Sequence, residues 1–185
     1  MDKENNTPYG NLSDISQEFI DEVFGRTMSC MDVLDLLSAY QKKVHKNSIE
    51  FKEFKLIKYI ASRFIIIELF VLIDGKGKLS IKLEKDSNNF YTKVQTLKLK
   101  ILFPDLEVEK FNNLQKRLNS LFRKYGDFIS QLRWARNFKI AHAGVSYFDD
   151  SGKKIRLQNI PAKQFKNFIE EFQSLFTDIG FEDDI

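Results

Sequence analysis

Apolar residues recur at intervals of three and four along most of this chain, and strictly alternating runs are short, which is the signature of helices rather than strands. A first helix is predicted to open at Ser13, where Ser13-Asp14-Ile15-Ser16-Gln17 offers overlapping caps. It is expected to bend near Gly25 and to end at about Asn47. Ser48 then caps a long second helix through Asp74, with Phe54, Ile57, Ile60, Ala61 and Phe64 along one stripe. The stretch GKGKLS (75–80) breaks it. A short helix is predicted over 80–85, while 89–103 fits neither template. From Pro104-Asp105 a further helix runs with Phe111, Leu114, Leu118, Leu121 and Phe122 as an a/d-like seam. Gly126 interrupts it, and the next helix spans about 127 to 143, with Gly144 as its C′ residue. GVSYFDDSGKKIRL reads as two short strands around the turn DDSG, a hairpin at about 145–157. Pro161 sits in the first turn of a last helix that Gly180 closes.

The pattern as a whole predicts an all-α, up-and-down bundle of about five helices. Residues 1–12 read as a poorly ordered N-terminus and 13–185 as a single domain. Three prolines and eight glycines fit long uninterrupted helices. The greasiest run, FIIIELFVLI (64–73), is too short to span a bilayer and contains Glu68; it reads as a buried helix, and no membrane partner is expected. The eighteen phenylalanines fall mostly on the apolar stripes and are read as core.

Composition narrows the setting. One cysteine, Cys30, has no internal partner for a disulfide, and no apolar run follows the polar start MDKENNTPYGNLSD; both point to a cytoplasmic protein. A net charge of +3 decides little, but its distribution decides more. Between Lys116 and His142 there are seven lysines and arginines against the one acid Asp127, whereas the C-terminal FEDDI is acidic. A locally basic segment favours an anionic partner such as a nucleic-acid backbone.

Within that segment WARNFKIAHAG (134–144) places Arg136 and His142 six positions apart. On one straight helix this is about 120° of rotation and about 9 Å of rise. The two side chains therefore converge only at a helix end, or when a second copy supplies one of them. A helix C-terminus, as Gly144 implies, favours the charged imidazolium. Arginine supplies a forked permanent cation for phosphate, and histidine exchanges protons near neutral pH. Such a pair can cleave RNA without metal: the imidazole moves a proton at the ribose 2′-hydroxyl or the leaving oxygen, and the guanidinium stabilises the phosphorane. Asn137 is placed to orient either. The sequence has no metal-ligand spacing and no glycine-rich phosphate loop, so no metal and no cofactor is expected.

The run RNFKIAH is similar to the R-x(4–6)-H motif of the HEPN superfamily, and its form resembles the abortive-infection U-type branch. LFVLIDGKGKLSIKLE, an apolar helix ending in Asp, a short basic loop and then Leu-Ser-Ile, resembles an upstream stretch of the same branch. Together the two matches cover roughly residues 64 to 142. The resemblance implies a HEPN-like bundle that dimerises about the motif helices, so that one chain's Arg136 meets the other's His142. It also implies a metal-independent endoribonuclease of toxin–antitoxin or phage-defence type, with Arg136, Asn137 and His142 as its active residues. An antitoxin or nucleotidyltransferase is then the expected partner, besides RNA and a second copy. The alternative is a catalytically silent HEPN-like dimer that binds a protein, nucleotide or RNA. Arg133, Lys139 and Arg63 are candidate RNA contacts. His45 reads as a solvated helix end, and Arg63 and Glu68, inside an apolar helix, as members of structural ion pairs.

Overall fold

The computed structural model describes residues 12–44, 49–84, 93–137 and 161–180. The expected hairpin at 145–157, Gly144 and His45 lie outside them. Six helices and one small sheet are formed: α1 (Asp14–Gln41), α2 (Ile49–Asp74), β1 (Leu83–Glu84), β2 (Lys93–Val94), α3 (Thr96–Leu102), α4 (Val108–Lys124), α5 (Gly126–Ala135) and α6 (Ala162–Gly180). The described residues are mainly helical, as the chain's periodicity requires, and among them there is one helix more than expected. Among the described residues no helix is long and apolar enough to cross a membrane.

α1 is the central element, packed against α2 along one side and α6 along the other. It passes through Gly25 as one helix and ends at Gln41, so the expected bend is absent and the end comes earlier than Asn47. Ser13 takes the N-cap position, but its hydroxyl bonds the Ser16 hydroxyl at 2.9 Å rather than a backbone N–H. Ser16 in turn donates to the Leu102 carbonyl at 2.9 Å, tying the start of α1 to the end of α3. Gln173 of α6 donates to the Thr27 hydroxyl of α1 at 2.7 Å. These buried polar atoms are satisfied across elements, as they must be in an apolar interior.

Phenylalanines fill the space between α1, α4, α5 and α6. Phe19, Phe103 and Phe176 meet edge-on and stacked, and Phe122, Phe172, Phe168 and Phe128 continue the cluster. Centroid separations of 5.1–6.4 Å are those at which ring quadrupoles attract. The seam of α4 is buried at all five of its members. On the outer rim Lys124 and Tyr125 both bond Glu171, and Arg117 bonds Asp178 at 2.6 Å. These links join α4 to α6 and draw the Glu171 carboxyl below its ordinary value, first through Lys124 and then through Tyr125.

Three further expectations are corrected. Where a helix was expected over 80–85, the described residues 80–84 are not helical: Lys82 adopts φ 59°, a left-handed turn, and Leu83–Glu84 then pairs antiparallel with Lys93–Val94. The helix expected at Pro104-Asp105 begins at Val108, because those two residues form a turn. The stripe assigned to α2 is split. Phe54 and Ala61 are buried, but Ile57, Ile60 and Phe64 face solvent, since the helix turns its later residues Ile65, Leu69 and Leu72 inward instead.

Cys30 sits in the core on α1, where burial pushes its thiol up to about 12. At pH 8 the native protein is expected to resist a thiol reagent and to react fully once unfolded. Rapid labelling under native conditions would contradict this packing.

Candidate anion-binding cleft

The C-terminus of α2 is the starting point. A carboxylate there lies at the negative end of the helix dipole and needs a counter-charge. Asp74 finds it in Arg133, in the last turn of α5, and the two form an ion pair. Burial is the largest influence on Asp74 and raises its pKa; Arg133, the Leu83 N–H and Arg136 pull the other way without cancelling it. The pair is largely removed from water, and it fixes the angle at which α5 meets the end of α2.

Gly75 follows, and nothing larger fits: a Cβ there would stand 2.5 Å from the Val71 carbonyl oxygen. The loop then folds back along the helix it has left. Ser80 donates to the Gly75 carbonyl at 2.7 Å, and the Ile81 N–H donates to the Leu72 carbonyl at 2.8 Å. Lys98 of α3 donates to the Lys78 carbonyl at 2.7 Å, holding the loop from the other side. The basic stretch GKGKLS is therefore a pinned loop rather than a mere helix break.

Beyond Ala135 the α-helical turns widen, and Arg136 and Asn137 form a π-helical turn, an arrangement often found where a helix serves a function. Arg136 is exposed. Its guanidinium lies 4.7 Å from the centre of the Phe70 ring and donates to the Asn137 side-chain oxygen at 2.9 Å. Stacked on a ring and tied at one edge, the fork is held in one plane before any ligand arrives.

These elements enclose an open cleft of about 950 Å³. Lys76, Lys82, Lys98, Arg133 and Arg136 line it, against Asp74 as the lone acid among the described residues, and Asn137, Gln95 and Ser80 supply neutral hydrogen-bonding groups. Five cations facing one carboxylate, in a concave site, focus a positive potential that suits a phosphate-bearing ligand. Among the described residues there is no group of three His, Cys, Asp or Glu able to hold a metal ion.

Of the residues singled out in the sequence, Arg136, Asn137 and Arg133 are brought together here. His142 and Lys139 lie outside the described residues. Arg63 is elsewhere: it donates to the Tyr59 hydroxyl at 2.7 Å and stacks on that ring, away from the residues that line the cleft. Glu68 pairs with Arg26 of α1, which accounts for the charge inside the apolar run. Lys76, Lys82, Lys98 and Phe70 were missed, because their convergence depends on the folded-back loop.

Compared with protein-family models, curated proteins and solved structures, the chain matches none. In the fold both quoted stretches contribute to the same cleft, the first through Phe70 to Lys82 and the second through Arg136 and Asn137.

Replacing Arg133 with Met should leave a desolvated carboxylate and cost about 2–3 kcal/mol at pH 8. Asp74 titrates higher in the fold than in the unfolded chain, where its value is 3.8. Its favourable contribution is therefore greatest in acid and declines as pH rises through that window. Loss of Arg133 widens the window upward, so the deficit measured by urea unfolding should shrink as the pH is lowered and Asp74 takes up a proton. A deficit that is constant with pH would contradict the role given to the pair.

Proposed function

We propose that the chain is a metal-independent endoribonuclease of HEPN type, acting as a homodimer in a toxin–antitoxin or phage-defence setting. The observation that carries this reading is the meeting of Arg136 and Asn137 with the pinned basic loop of 75–80 in one positively charged cleft. Each stretch alone is a short motif. Their convergence on one open, cation-lined concavity is what an RNA-cleaving site of this kind requires.

In the proposed reaction a ribose 2′-hydroxyl attacks the adjacent phosphorus, and its proton passes to a base. The P–O5′ bond breaks, the leaving oxygen takes a proton, and a 2′,3′-cyclic phosphate remains. His142 exchanges the proton; Arg136, planar and pre-oriented on Phe70, stabilises the charge that gathers on the non-bridging oxygens. Asn137 holds the guanidinium from its far edge. Arg133 keeps the wall of the cleft in place through Asp74, and Lys76 and Lys98 lie where neighbouring phosphates would pass. A small antitoxin or a nucleotidyltransferase is the regulator that the resemblance implies.

His142→Ala should lower cleavage of single-stranded RNA about 100-fold or more, and Arg136→Ala by a similar factor, while EDTA leaves the wild type active. Cleavage that survives His142→Ala, or that EDTA abolishes, would remove the mechanism. RNA binding by the wild type without any cyclic phosphate product would assign the chain to the silent, binding branch instead.

A further inference from the structure

Besides the cleft, the molecule carries a second polar concavity on the outward face of α4. Asn112, Lys116, Asn119 and Arg123 follow one another at spacings of four, three and four residues, which sets them within about 60° of one side of the helix. Gln115 and Ser120 flank them, and the six side chains line an open groove of about 470 Å³. Among the described residues no acid and no apolar side chain lines it. Arg117 and Lys124, on a different side of α4, pair with Asp178 and Glu171 of α6. Lys116 and Arg123 put two positive charges in the groove instead.

The amides of this groove are oriented. The Val94 N–H donates to the Asn119 side-chain oxygen at 2.8 Å, so what that amide offers a ligand is its N–H donor. Gln115 donates to the Thr96 hydroxyl, so what it offers is an acceptor oxygen. Both links run to the joint between β2 and α3, and Gln95, between Val94 and Thr96, lines the cleft of Arg136. The groove and the cleft therefore meet at three consecutive residues.

We propose that this face of α4 is a second contact surface for RNA, holding the single strand that leads out of the cleft. It rests on the reading of the cleft as an RNA site and adds where the rest of the strand lies. Lysine, arginine, serine, asparagine and glutamine are the side chains that meet phosphate and sugar. A protein partner would need apolar or aromatic anchors at the centre of its contact, and a lipid surface would need an apolar face to enter it. The groove offers neither. From Asn112 to Arg123 the helix rises about 16 Å, room for about five stacked nucleotides at roughly 3.4 Å each. Lys116 and Arg123 are about 10 Å apart along the axis, which suits phosphates about three nucleotides apart. A strand that fills the cleft alone is therefore held less tightly than one long enough to reach α4.

The test is binding of the full-length protein to 2′-O-methylated single-stranded RNA, followed by fluorescence anisotropy, with oligonucleotides of about four and about twelve nucleotides. Wild type should bind the longer strand about 50-fold or more tightly, beyond the roughly ninefold that its extra registers alone supply. Lys116→Gln/Arg123→Gln, at two exposed helix positions, should reduce the advantage to about that ninefold. It should also lower the salt slope for the longer strand by about 1.4, two contacts at roughly 0.7 each. On the shorter strand its loss should stay within about twofold. Lys52→Gln/Lys58→Gln removes the same charge from the other end of α2 and should weaken neither complex. A groove variant that holds the longer strand as well as wild type or the α2 control does would overturn the proposal. So would a wild-type advantage no larger than the extra registers give. Wild type that binds neither strand would refute the RNA reading of the cleft and this surface with it. If the longer strand is held through Lys116 and Arg123 while Arg136→Gln changes nothing, the cleft reading fails and the α4 surface stands.

Discussion

The site depends on one buried ion pair. Asp74 ends α2 with a charge that the helix dipole disfavours and that water scarcely reaches, and Arg133 supplies the counter-charge from α5. That pairing joins the end of the longest apolar helix to the start of the motif turn. From the same point Gly75 lets the chain double back, Ser80 and Ile81 pin the return, and β1 and β2 close the far side. The lysines of the loop and the guanidinium of Arg136 then face one another across open space.

The phenylalanine core makes this arrangement possible by leaving α2 partly free. Large rings from α1, α4, α5 and α6 fill the interior, so α2 needs only one of its faces inward, through Ile65, Leu69 and Leu72. Its other face remains apolar and exposed, and it leads directly to the cleft. The buried face, the exposed face and the lining of the cleft are thus all carried by one helix.

Period and punctuation made most helices legible. The seam of α4, the end of α2 at Asp74 and the span of α6 follow from apolar spacing, a terminal Asp-Gly and a flanking Pro and Gly. What failed had physical causes. A two-residue strand has no period to read, and β1 depends on Lys82 turning left-handed. The α2 residues were read as one stripe because periodicity reports that residues share a face, not which neighbour covers it; Ile57 and Ile60 obey the period and still meet solvent. In the site, Arg136 and Asn137 were visible as a motif, and the basic loop as a second one. That Arg133 would hold Asp74, or that Phe70 would carry Arg136, was not, since each pairing spans some sixty residues and requires the tertiary fold.

The central claim is that the cleft around Arg136 binds a phosphate backbone. Its most direct test is the salt dependence of binding to a 2′-O-methylated RNA oligonucleotide, which can be bound but not cut. For the wild type the logarithm of affinity should fall steeply with the logarithm of salt, and Arg136→Gln should reduce that slope by about one phosphate contact. If the two proteins show the same slope and affinity, the cleft is not where the backbone lies, and the account built on it is wrong.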